Sequence, residues 1–153
     1  VKLPDINLLL YATDDTAVLH KPALKWVEAT LSGTETVAFA WLALIGFVRL
    51  STSPRIFQHP WDVERALDVV DGWLAQPAAT VVHPTHRHVA VLRDLLRPLG
   101  TAGNLTSDAH LAALAIEHGA TLYSSDNDFA RFPGLRWVDP LSPRPAVAPP
   151  PTA

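Results

Sequence analysis

"DAHLAALAIEHGATLYSSDNDF", residues 108 to 129, holds in one run the pattern from which the fold follows. Its first half is rich in alanine and leucine at helical spacing, and Gly119 stands where a helix ends in a left-handed cap. "ATLYSSD" then reads as a short strand, apolar and β-prone up to Tyr123, that breaks off into Ser124, Ser125, Asp126 and, beyond Asn127, Asp128. "NDFARF" reads as a helical turn and "LRWVDPL" as a final strand. A helix feeding a strand whose carboxyl end gathers carboxylates implies an α/β sheet with polar groups carried on the loops at that edge.

The same alternation runs back toward the amino terminus. "LPDINLLLYA", residues 3 to 12, reads as a strand interrupted by Asp5 and passing into a helix or turn; Pro4 removes a backbone donor and holds Leu3 extended. "TAVLHKPALKWVEATL" places Leu24, Val27 and Leu31 at helical spacing until Ser32-Gly33. "TVAFAWLALIGFVRLST" reads as a strand at Thr36 to Phe39 and a buried helix through Leu50, stopped by Ser53-Pro54. An amphipathic helix carries Val63, Leu67, Val70 and Leu74 on its apolar face, "ATVVHP" is a strand, and the helix in "THRHVAVLRDLLRPLG" turns Val89, Leu92 and Leu96 inward. "TAGNLTS" is a loop. Strands alternating with helices imply right-handed crossovers and a mainly parallel sheet covered on both faces. From Pro140 the chain carries six prolines and no apolar periodicity, so residues 1 to 141 are read as one domain and residues 142 to 153 as a proline-rich, disordered tail.

Composition narrows the function. The chain has 153 residues, the size of one domain, and no cysteine, which excludes disulfides, thiolate metal sites and thiol nucleophiles. No apolar run approaches the ~20 residues of a membrane span, no secretory signal opens the sequence, and a cytoplasmic home is expected. A net charge of −3 argues against binding nucleic acid through a bulk basic surface, so an anionic partner requires local arginines or a metal ion. All three lysines precede residue 26, whereas nine arginines run from Arg49 to Arg144, and the arginine fork suits phosphates.

Asp5 and Asp126 both end strands, and Asp108 opens a helix on the stripe of Leu111, Ala112 and Ala115. Taken singly, each has a structural reading: Asp108 as a favourable charge at a helix start, Asp126 and Asp128 as caps of the following turn, Asp5 as a satisfied buried carboxylate. Taken together, carboxylates from distant segments that converge on one sheet edge repel unless a cation sits between them. Oxygen ligands without cysteine or a histidine cluster suit Mg²⁺ or Mn²⁺, and a phosphodiester substrate follows. His83, His86 and His88 in "HPTHRH" lack the four-residue spacing of a two-histidine metal face and are read as surface or helix-start residues, His110 as structural. Ser124 and Ser125 lack the glycine elbow of a serine nucleophile and are read as supports for Asp126 or a metal-bound water. A phosphoacceptor reading of "TDD" at 13 to 15 would need a late lysine, and none follows Lys25.

"LPDINLLLYA", "GFVRLSTSPRIF" and "SDAHLAALAIEHGATLYSSDNDFARFPGLRWVDPL" resemble PIN-domain ribonucleases, in particular the VapC toxins of bacterial toxin–antitoxin pairs, over residues 1 to about 141. The resemblance implies a three-layer sandwich with a five-stranded, mainly parallel sheet and a metal site at its carboxyl edge. Asp5, Asp108 and Asp126 would be its catalytic and metal-ligating acids, Asp128 a supplementary acid, and Ser124 and Ser125 their supports. It implies a Mg²⁺- or Mn²⁺-dependent endoribonuclease, restrained by a VapB-type antitoxin and acting as a homodimer. Arg49, Arg55 and Arg131 are the candidates for RNA phosphate contacts. One departure stands out: Gly46 falls where the family has a glutamate, and no acid lies between Glu35 and Asp62. It leaves an alternative expectation, a catalytically weakened module that binds antitoxin or RNA without efficient cleavage.

Overall fold

The computed structural model describes residues 1–142, so nearly all of the tail expected from residue 142 lies outside the described residues. The order of elements is β1 (Lys2–Pro4), α1 (Ile6–Thr13), α2 (His20–Leu31), β2 (Val37–Ala40), α3 (Trp41–Ser51), α4 (Val63–Leu74), β3 (Ala79–Val82), α5 (His88–Leu96), α6 (Thr106–Glu117), β4 (Thr121–Tyr123) and β5 (Trp137–Val138). Short 3₁₀ turns occupy Arg97–Leu99, Gly103–Leu105 and Asn127–Arg131. Among the described residues, the strands form one five-stranded sheet in the order β3-β2-β1-β4-β5, with every pairing parallel. β1 and β4 are therefore central neighbours, and pairing Pro4 with Tyr123 sets Asp5 beside Ser124 just past the carboxyl edge.

Local chemistry fixes where elements start and stop. α6 ends as its sequence implies: Gly119 adopts φ 62°, and the Ala120 N–H reaches back to the Ala115 carbonyl at 2.8 Å, closing the left-handed helix end. α4 starts on Asp62, whose Oδ1 accepts from the Arg65 N–H at 2.8 Å. α2 starts only at His20, because Asp14 draws Thr16 into a turn by accepting from both its N–H and its hydroxyl. Pro22 then falls in the first turn of α2, where no intrahelical donor is required. α6 begins at Thr106, so Asp108 is its third residue rather than its opening one.

Apolar packing divides into two clusters, giving the three-layer sandwich. One joins Leu3 and Leu122 of the central strands to Leu111 and Leu114 of α6, with Phe129. The other joins Leu9, Val27, Phe39, Phe47 and Trp73 from α1 to α4 and β2. Two helices present a different stripe to the core than periodicity suggests. α4 buries Ala66, Val70 and Trp73, leaving Val63 and Leu67 exposed, and α5 buries Val91 and Leu95 while Val89 is 66% exposed. α5 carries two adjacent apolar stripes: one is buried in the core, and of the other Leu92 and Leu96 pack half-buried at its margin while Val89 stays out. Gly46 also has a packing explanation: a Cβ there would come within 2.6 Å of the Ile6 Cδ1, so α3 approaches α1 over a position that Ile6 already fills.

Candidate active site

Asp5 follows β1 as the N-cap of α1 and is 7% exposed. Its Oδ1 accepts from the Ile6 N–H at 2.7 Å and its Oδ2 from the Ser124 hydroxyl at 2.8 Å. Burial pushes its carboxyl up, the Ser124 hydroxyl and the Ile6 N–H oppose that shift, and the charge of Asp126 adds to it. Ser124 is fully buried and is the hub of the site. While donating to Asp5, its Oγ accepts from the Asn7 amide at 3.2 Å and from the Asp126 N–H at 3.0 Å. One hydroxyl thus ties the end of β1, the first turn of α1 and the loop after β4 together.

Asp126 caps the 3₁₀ turn that follows it, its Oδ1 accepting from the Asp128 N–H at 2.9 Å. This is the turn-capping role open to it from sequence, and it leaves the second carboxylate oxygen uncommitted by that bond. Asp108, half-buried in the first turn of α6, meets the pair from the other side. Carboxylate oxygens of Asp108, Asp126 and Asp128 all lie within 4.8 Å of one another. The Asp108 carboxyl is pushed up to about 6, first by burial and then by the negative charges of Asp5, Asp126 and Asp128. Three converging carboxylate oxygens suit a hard divalent ion, which takes carboxylates and water at about 2.0–2.6 Å. Asp5 is not one of this trio, yet its charge acts on Asp108 ahead of those of Asp126 and Asp128, and each of its oxygens accepts one bond, from Ile6 and from Ser124, which leaves lone pairs for a cation.

The remaining candidates divide. Ser124, not Ser125, makes the supporting bonds; among the described residues the Ser125 side chain forms no hydrogen bond. Arg131 pairs with Asp128 at 3.4 Å, whereas Arg49, in the last turn of α3, and Arg55, in the loop after it, are exposed and form no ion pair among the described residues. Asn7 was not read from sequence as a site residue. Its signal was a lone amide two residues after Asp5 in an apolar run, and its Oδ1 is buried without a hydrogen-bond partner.

A second polar cluster sits at the far end of α6. The Glu117 side chain is sealed from solvent, and its Oε1 accepts from the Thr85 N–H at 3.0 Å and from the Thr85 hydroxyl. Its Oε2 accepts a hydrogen bond from His88 Nδ1, and His88 Nε2 meets His110 Nδ1 at 2.9 Å. Burial works to raise the Glu117 carboxyl, but the Thr85 and His88 bonds win and hold it below its ordinary value. His88 and His110 thus pin α5 to α6 and take no part in the acid cluster, in keeping with their structural reading.

Among known proteins, the PIN domain family model matches residues 2–135. The chain is 49% identical over 140 residues to Ribonuclease VapC37 of Mycobacterium tuberculosis (strain ATCC 25618 / H37Rv), covering 92% of this chain and 97% of that protein. It is 42% identical to Ribonuclease VapC33 of the same organism, over 91% of this chain and 97% of the relative. The fold is shared with VapBC2 from Rickettsia felis bound to a promoter DNA fragment, at a TM-score of 0.66 and 20% identity, covering 90% of this chain and 96% of that one. VapBC-1 from nontypeable Haemophilus influenzae aligns at a TM-score of 0.65 and 16% identity, over 92% and 98% of the two chains.

Proposed function

This chain belongs to the PIN-domain family, among its VapC ribonucleases, and we propose from that premise that it is the toxin of a VapBC-type pair, a divalent-metal-dependent endoribonuclease hydrolysing RNA phosphodiesters. The observation that carries the reading is the convergence of Asp108, Asp126 and Asp128 oxygens within 4.8 Å at the carboxyl edge of the sheet. These three carboxylates would hold Mg²⁺ or Mn²⁺. Bound there, the ion supplies a Lewis acid for the phosphate and a water of lowered pKa. Asp5, whose charge acts first on Asp108, would join them as the remaining acid of the site, and Ser124 fixes both Asp5 and the Asp126 main chain. Without a cation, a proton occupies the Asp108 carboxylate below about pH 6, so proton and metal compete for the same oxygen. Arg131, already against Asp128, is placed to take a phosphate oxygen, with Arg49 and Arg55 as outlying contacts.

Single-stranded RNA or a splayed loop is the substrate such an open edge accepts. The protein works in the cytoplasm, restrained by a VapB-type antitoxin and paired with a second copy of itself. Trp41 and Ile45, 46% and 59% exposed and one turn apart on α3, offer apolar surface to such a partner. Among the described residues no helix is long and apolar enough to cross a membrane. The alternative of a weakened binding module finds no support among the relatives, which are named ribonucleases. The test is cleavage of labelled RNA by purified chain with Mn²⁺ or Mg²⁺, with EDTA, and with Asp126→Asn. Cleavage that requires metal and Asp126 is expected; equal cleavage by wild type and variant would overturn the reading.

A further inference from the structure

Exposed Val89 and half-buried Leu92 and Leu96, at the margin of the core, line an open cavity of about 540 Å³ whose other side is the Gly100–Ala102 turn. That volume lies in the range of small-molecule sites, about 300–1,000 Å³. Arg93 and Arg97, one helical turn apart, line the same cavity. Both are exposed, and among the described residues neither forms a salt bridge or a side-chain hydrogen bond. The result is an apolar floor edged by two unanswered guanidinium groups.

The cavity also lies upstream of the acids on the same stretch of chain. From Ala102 the backbone passes through the turn Gly103–Leu105 and the first turn of α6 to Asp108, a rise of about 10 Å. A polyanionic substrate gains nothing electrostatically from a cluster of carboxylates on a chain of net charge −3, so its affinity has to come from cations outside that cluster. We infer that this cavity is a nucleotide subsite for the RNA substrate: Arg93 and Arg97 take a backbone phosphate, and the Val89–Leu92–Leu96 floor takes the adjoining ribose or base. Guanidinium planes also stack on bases, which suits a splayed single strand. An acidic peptide helix fits less well. Such a helix needs a groove for anchors over several turns, and this cavity spans about 12 Å of α5, from Val89 to Arg97, before the turn closes it.

The inference rests on the ribonuclease reading, and the experiment separates the two. Fluorescence anisotropy of a 5′-labelled single-stranded RNA in EDTA measures binding without cleavage, and metal-dependent cleavage is measured in parallel. The variants are Arg93→Ala/Arg97→Ala, Arg93→Lys/Arg97→Lys and Val89→Glu, all at exposed positions, with Asp108→Asn as the nuclease control. The double alanine variant is expected to bind roughly tenfold more weakly in 0.1 M salt, and its log–log salt dependence to flatten by about 0.7, the share of the one phosphate that the pair takes. KM for cleavage rises by a similar factor with kcat held, the lysine pair restores the salt slope, and Val89→Glu weakens binding on its own. Unchanged affinity and slope in the alanine variant, with Asp108-dependent cleavage intact, would remove the subsite and leave the nuclease standing. Wild-type cleavage no better than Asp108→Asn would instead remove the nuclease reading, and the anisotropy arm alone would then decide the cavity. Loss of antitoxin affinity with RNA affinity intact would assign the cavity to the antitoxin and overturn the inference.

Discussion

The two ends of α6 treat a carboxylate in opposite ways. At the start, Asp108 faces other acids and its carboxyl is pushed up to about 6. At the end, Glu117 is at least as well buried, yet Thr85 and His88 answer both its oxygens and hold its carboxyl down. Burial raises both; what separates them is whether the chain supplies donors. On the reading proposed above, the difference separates a carboxylate kept for a ligand from outside from one that serves the fold.

Removing Asp108 breaks the comparison most sharply. Asp108→Asn should lower metal-dependent RNA cleavage by about 100-fold or more, roughly 2.7 kcal/mol at 1.36 per factor of ten. In EDTA at pH 7.5 the same variant should melt about 2–4 °C higher, as about 1 kcal/mol of relieved repulsion gives in a domain of this size after allowance for solvent screening. A lower melting temperature would mean that the acids are not opposed in the free protein. At the other end the signs reverse. Glu117→Gln should cost about 2 kcal/mol and roughly 5 °C in Tm while leaving cleavage well below Tm within about twofold. Because the Glu117 carboxyl is held below its ordinary 4.5, its stabilisation is complete above that pH and is lost as pH falls through the folded value. Calorimetry should therefore show the gap between wild type and variant closing in acid.

Titration sharpens the contrast further. Asp108, raised from 3.8 to about 6, favours the fold most where it is protonated, so its contribution is full below 3.8 and is lost as pH rises through about 6. Mn²⁺ should consequently raise Tm more at pH 7.5 than at pH 5, and its affinity should fall about tenfold per pH unit below 6 where one proton is displaced. An equal shift at both pH values would place the cation elsewhere. The smallest effect belongs to Gly46, which lies at neither end of α6. Gly46→Ala gains about 1 kcal/mol of helix propensity and spends a similar amount displacing the Ile6 Cδ1. Its net change by denaturant melt should stay within about 1 kcal/mol with cleavage intact, and Ile6→Val should make the alanine more favourable by deleting that methyl.

Much of this was legible in the sequence for specific reasons. Gly119 and the strand after it, Pro4 before Asp5, and Asp126 at a strand end all carry local signals that tertiary structure did not overrule. Periodicity failed where two apolar stripes competed: nothing in "VAVLRDLL" says that Val91 and Leu95 meet α6 while Val89 stays out, because that choice belongs to the partner helix. The acids were found as a set, but their grouping was not. Asp128 enters the tight trio with Asp108 and Asp126, while Asp5 is tied to Ser124, just past β4, and acts on Asp108 through its charge. Asn7, Arg93 and Arg97 passed unremarked because a single amide or an exposed arginine acquires meaning only from what the fold sets beside it.

The bond between Ser124 and Asp5 spans 119 residues of chain. During synthesis at about 5–20 residues per second, Asp5 is made roughly 6–24 s before its partner exists. The acids of α6 and the loop after β4 arrive in the same late interval, and the central strand β4 must dock beside β1 before any of them face each other. A nascent copy is therefore expected to be chemically silent until β4 has been made, and a product truncated before Thr121 lacks both the strand and the acids beyond it. The fold itself delays the hazard until the last of its central strands is in place.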